Sequence, residues 1–155
     1  MSELSQRIQA DMVAAMKSGD DLTRSTLRMA IAAIKNEEVA GKQARELSDA
    51  DVVTVLNREV AKRRDSAEAY TAGNRAELAA KEVAEIEVLQ RYLPAALTEA
   101  ELDEIVAGAL AQVTAELGEA PSMRQMGLVM KLVTPAVAGR ADGGAVAAKV
   151  RAALS

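Results

Sequence analysis

The chain has 155 residues, 50% of them hydrophobic, with 19 Lys+Arg against 23 Asp+Glu and a net charge of −4. That size and apolar content predict a soluble globular chain of one or two small domains, and no apolar run is long enough to span a bilayer. Zero cysteine and zero histidine remove disulfides, thiol nucleophiles, the usual general base and the commonest metal ligands, so neither a metal nor a cofactor is expected.

In chain order the apolar residues recur at helical spacing, with no period-two alternation, so the expected fold class is all-α. Ser2 caps a first helix with Leu4, Ile8, Met12, Ala15 and Met16 on one face, ended by Gly19. Asp21 opens a second, with Leu27, Ala30, Ile31 and Ile34 inward, running to about Gly41. Ser48 with Asp51 starts a long third helix through Leu56, Val60, Ala67 and Tyr70 to Gly73. Asn74 restarts the chain into a fourth, with Leu78, Ile86, Leu89 and Leu93, which Pro94 stops. The pattern then resets. Thr98 and Glu101 form a capping box before Leu102, Ile105, Val106, Ala109, Leu110 and Val113, with Gly118 as the stop. Ser122 and Gln125 form another before Met126, Val129, Met130 and Val133, and Pro135 is read as the end of that helix. Asp142 caps the last, with Val146, Val150 and Leu154 inward. The expected organisation is an N-terminal four-helix domain over 1–94 and a three-helix domain over 95–155, the second small enough to be marginal alone.

Charge is distributed unevenly. Residues 1–93 carry 14 basic and 16 acidic groups, and residues 94–119 carry six acidic groups and no basic one. Residues 120–155 hold Arg124, Lys131, Arg140, Lys149 and Arg151 against Asp142 alone. A polyanion would find positive potential on the last two helices, with steep salt dependence. Ordinary solvated surface is the competing reading. Arg24, Arg28 and Lys35 share one stripe of the second helix, a second candidate basic surface or a solvated flank.

The stretch AGRADGGAVAAKV, residues 138–150, has the look of an anion cradle, since glycines precede a helix start whose amides are free to receive a phosphate. The Asp142 carboxylate competes for the same amides, so a cap is the stronger reading. No G-x-x-x-x-G-K-[ST] motif is present.

In NREVAKRRDSAEAY, Arg63 projects inside the apolar arc of Val52, Leu56, Ala67 and Tyr70, and a charge there needs a partner. Glu82 and Glu85 lie on the inward face of the fourth helix, and Glu59 sits one turn before Arg63. The expectation is an ion pair of Arg63 with Glu82 or Glu85 that fixes helix register. Acid–base chemistry at these groups lacks a nucleophile or electrophile beside them.

STLRMAIAAIKNEE, LSDADVVTVLNREVAKRRDSAEAY, AGNRAELAAKEVAEIEVLQRYLP and SMRQMGLVMKLVTPAVAGRADG together resemble the YqeY family, stand-alone relatives of the tail region of the GatB subunit of aspartyl/glutamyl-tRNA amidotransferase. The resemblance spans nearly the whole chain. AGNRAEL departs from the Gly-Arg-x-Asp-Leu of many relatives, so no acidic role carries over to Ala76 or Glu77. The resemblance implies a helical domain followed by a smaller three-helix domain, and association with tRNA or a tRNA-processing enzyme. It also implies, by family association only, a carbon–nitrogen ligase label with glutamine as amide donor. Glutamine hydrolysis in such enzymes uses a Ser–Ser–Lys arrangement in a separate subunit or a cysteine, and this chain has no Gly-Gly-Ser-Ser stretch and no cysteine.

The resulting expectation is a non-catalytic module that contacts RNA phosphates through Arg124, Lys131, Arg140, Lys149 and Arg151, with Arg24, Arg28 and Lys35 as a second surface. Only two aromatic residues argue against base reading. The alternative is a protein-interaction module using Met123, Met126 and Met130 as an adaptable apolar groove. MSELSQRIQADM shows no secretory signal, so a cytoplasmic chain is expected. A monomer is expected, with no membrane partner.

Overall fold

A computed structural model describes residues 1–155, and every regular element in it is a helix: α1 (Glu3–Ser18), α2 (Asp21–Glu38), α3 (Asp49–Ala72), α4 (Ala76–Gln90), α5 (Glu99–Leu117), α6 (Met126–Val137) and α7 (Gly143–Leu154), with a 3-10 turn at Met123–Gln125. The protein is all-α. No helix is long and apolar enough to cross a membrane. Residues Met1–Leu93 form one compact unit and Pro94–Ser155 a second.

The first unit contains α1 to α4. Gly19 ends α1 in the left-handed region at φ 78°, and its N–H bonds back to the Ala15 carbonyl. The core of this unit takes Ile8 from α1, Leu27 and Ile34 from α2, Val52, Leu56 and Val60 from α3, and Ile86 and Leu89 from α4. Residues three or four apart supply one buried stripe per helix. Ser48 caps α3 reciprocally: the Asp51 amide donates to Ser48 Oγ at 3.2 Å, and the Ser48 amide donates to the Asp51 carboxylate at 3.0 Å. Leu47 before the cap and Val52 in the next turn share the core, a hydrophobic staple that sets the entry of the chain.

Near its end this unit is cinched by Tyr92. Its hydroxyl donates to Asp11 at 2.6 Å, and the Arg7 guanidinium lies 4.8 Å from the ring centre. Burial first, then the Asp11 carboxylate, pushes the phenol above its usual ionisation range.

The second unit packs α5, α6 and α7 around Leu102, Val106, Val113, Val129, Val133, Val146 and Val150. Thr98 caps α5, with the Glu101 amide donating to its Oγ1 at 3.1 Å and its own amide donating to Glu101 at 3.2 Å. Asp142 caps α7 by accepting from the Ala145 amide at 3.0 Å.

Three boundaries differ from the sequence reading. α2 ends at Glu38 rather than near Gly41, because beyond Ile34 it has nothing apolar to bury: Val39 is exposed. Asn74 is not a cap. It takes the left-handed conformation at φ 58° between α3 and α4, and α4 begins with no side-chain cap. Pro135 does not stop α6, which continues to Val137. The missing N–H costs one bond in the last turn, offset by burial of Val137 and by the Ala138 amide closing onto the Thr134 carbonyl.

Candidate functional site

Five basic residues of the second unit fall into two groups. Arg124 in the 3-10 turn, Lys131 on α6 and Arg151 on α7 are exposed, and their side chains have no hydrogen-bond or ion-pair partner. Between Glu119 and Asp142 the chain carries no acidic residue. Arg124, Leu128, Lys131 and Pro135 follow one another at spacings of four, three and four on the solvent side, so two cations share one stripe with an exposed leucine.

Arg140 and Lys149 are not free, which corrects their expected place in a five-residue basic surface. Arg140 donates Nε to the Ala95 carbonyl at 2.9 Å and lies 3.9 Å from Glu101. Lys149 Nζ is 2.8 Å from Asp103 and 3.4 Å from Glu99. The cause is the acidic first two turns of α5, which face α7 and the turn before it. The Asp103 hydrogen bond, ahead of the opposing desolvation, raises the Lys149 ammonium above its ordinary value.

The glycine stretch before α7 is occupied by its own cap. A Cβ at Gly144 would lie 3.2 Å from the Asp142 carboxylate, which sits over the amides that a phosphate would need. The expected methionine groove is also absent as such: Met126 and Met130 pack against the second core, because they flank the Val129–Val133 seam, and Met123 alone of the three stands out, 46% exposed.

In the first unit, Arg24 is half-buried and lies 3.4 Å from Asp21, while Arg28 and Lys35 are exposed without partners. Arg63 is buried. Its Nε donates to Glu85 at 2.9 Å, and Nη1 donates to the Glu59 carbonyl at 3.1 Å and lies 4.0 Å from the Glu59 carboxylate. Glu82, offered beside Glu85 as the partner, does not take that role. It sits almost one turn earlier on α4, half-buried and unpaired, while Glu85 already holds the guanidinium. Lys62 pairs with the same Glu59 carboxylate oxygen at 3.2 Å.

Above this cluster lies a groove of about 770 Å³ between α2, α3 and α4, which sequence reasoning missed. Its lining repeats at helical spacing, Met29, Ala33 and Asn36 on α2 facing Val55, Glu59, Lys62 and Ser66 on α3. Ala32 and Ala33 on α2, opposite Glu59 and Lys62 on α3, leave the space unfilled. Arg63 is at its floor, and Glu82 and Lys81 come from α4. No group of three or more acidic side chains is placed to hold a metal ion.

Comparison with known proteins adds a family. A profile described as "Yqey-like protein" matches residues 5–154. The protein named "Altered inheritance of mitochondria protein 41, mitochondrial" of Lachancea thermotolerans is 32% identical over 109 residues, 68% of this chain and 57% of the relative. The protein of the same name from Saccharomyces cerevisiae (strain YJM789) is 33% identical over 98 residues, 62% of this chain and 51% of the relative. The chain thus spans about half the length of these curated relatives. Their mitochondrial designation corrects the expectation of a cytoplasmic chain.

Proposed function

The chain belongs to the family of YqeY-like proteins, and from that premise we propose that it is a non-catalytic module that associates with tRNA or a tRNA-processing enzyme through the second unit. The observation that carries this reading is the trio Arg124, Lys131 and Arg151, exposed and unpaired, two of them in a stretch of chain without acidic residues. Free cations neutralise phosphates and release counterions. Paired ones must first break an existing contact, so Arg140 and Lys149 contribute less. The second unit has no aromatic residue, so contact is to backbone rather than to stacked bases. The resemblance to the GatB tail supports the same reading, and any ligase activity belongs to that larger assembly.

Filter binding of bulk tRNA across a salt series tests this. Three phosphate contacts predict a log–log salt slope of roughly −2 to −3. The double variant Arg124→Glu, Lys131→Glu abolishes retention, whereas Lys149→Glu changes it little. Absence of binding at low salt refutes the proposal. One observation favours a second reading, a protein partner: Met123 and Leu128 stand 46% and 47% exposed beside those cations, and apolar exposure there is more than phosphate contact requires.

A further inference from the structure

The groove of the first unit plays no part in the RNA reading. Its volume of about 770 Å³ lies in the range of small-ligand sites. The side chain of Arg63 at its floor is 9% exposed. Nε and Nη1 are engaged by Glu85 and by the Glu59 carbonyl, but Nη2 meets only the Met29 sulfur at 3.7 Å. A thioether is a weak acceptor. On a side chain nine-tenths out of water, one charged donor is therefore held by the poorest partner in its shell, and an oxygen ligand would replace that contact with a strong one.

Charge selects the ligand class. Around the groove Arg58 pairs with Glu37 at 3.2 Å, Lys62 with Glu59 at 3.2 Å and Arg63 with Glu85 at 2.9 Å. What remains unpaired is one cation, Lys81, and one anion, Glu82. Neighbours in sequence point to different sides of a helix and do not neutralise each other. A simple anion entering the groove meets Glu59, Glu82 and Glu85, and a simple cation meets Arg63 and Lys81. A ligand carrying both charges satisfies both sets.

We propose that this groove binds a small zwitterion of the amino-acid or short-peptide type, its carboxylate received by Arg63 Nη2 and Lys81 and its ammonium by Glu82. Binding displaces the Met29 thioether from Nη2, so the methionine methyl group reports occupancy directly.

The experiment is an NMR titration of the full chain carrying methyl-labelled methionine, with the Met29 resonance assigned through Met29→Leu. Glycine, diglycine and triglycine are the probes, and acetate and methylammonium the single-charge controls. At least one glycine oligomer is expected to shift the Met29 methyl saturably, with a midpoint on the order of 1 mM. Acetate and methylammonium bind roughly tenfold more weakly or worse. Lys81→Gln and Glu82→Gln, both outside the core, keep the helical circular dichroism and each raise the midpoint by about fivefold or more. A Met29 resonance unmoved by any oligomer at about 50 mM, acetate binding as well as the zwitterions, or Glu82→Gln leaving the midpoint unchanged overturns the proposal.

Discussion

The two units of this protein solve the same packing problem with opposite chemistry. The first admits charge into its interior: Arg63, Glu59 and Glu85 are all buried. The second keeps its core dry, and seven of its ten buried core residues are valines. β-Branched side chains are weak helix formers, so α5 to α7 are held by tertiary packing more than by their own propensity. An interior with charges has strong directional preferences and few tolerated partners. A valine interior specifies only shape. The difference teaches where each unit is vulnerable, to lost partners in one and to added polarity in the other.

Breaking the charged interior gives the largest effect. Glu85→Gln leaves Arg63 without its short carboxylate contact, and we expect a loss of ~3 kcal/mol in urea unfolding. Replacing both members, Arg63→Met with Glu85→Leu, restores stability to within ~1 kcal/mol of the parent, because apolar packing of similar volume removes the desolvation cost. A double variant as unstable as the single one would show that the pair, not its burial, holds the helices. In the dry core, Val133→Thr keeps the shape but buries a hydroxyl at a position with zero exposure. Its expected cost is ~2 kcal/mol, and a neutral result would erase the contrast between the units.

A smaller change sharpens the contrast in the other direction. Thr26 in the first unit is completely buried, and its Oγ1 has no hydrogen-bond partner. Thr26→Val should stabilise by ~1 kcal/mol, measured as a raised urea midpoint with an unchanged slope. Ala138→Gly, at the left-handed end of α6 (φ 50°), should add ~0.5 kcal/mol by relieving Cβ crowding.

Acid has the mildest effect and touches both units alike. Donation from Ser48 holds the Asp51 carboxyl below its ordinary 3.8, and donation from Thr98 holds Glu101 below its ordinary 4.5. A depressed folded value means that the contribution is fully present above the unfolded value and is lost as pH falls through the folded one. Helicity should therefore be flat down to about pH 4.5 and decline below it, as read by circular dichroism. A decline beginning near neutrality would contradict the cap assignment.

Much of this was legible in the chain because it is local. Ser48, Thr98 and Asp142 announce their helices within three residues of themselves, and Arg63 stands out because it interrupts an apolar stripe. What escaped is long-range. Lys149 reaches Asp103 across 46 residues of chain, and no periodicity within α7 reveals that α5 turns its acidic face toward it. Pro135 looks like a helix stop for the same reason, since only burial of Val137 explains why the helix continues past it. The groove arises from a mismatch of side-chain size between α2 and α3, which becomes visible only when the two stripes are set against each other.

Tyr92 has a practical corollary. Tyrosine 70 and tyrosine 92 are the only aromatic side chains in the protein, and both belong to α1–α4 and the segment closing them, so ultraviolet emission is blind to everything after Pro94. With its hydroxyl clasped by Asp11, Tyr92 should be strongly quenched in the native state and brighten when α1 lets go. The molecule carries its own fluorophore for one half, and an added tryptophan would be needed to watch the other.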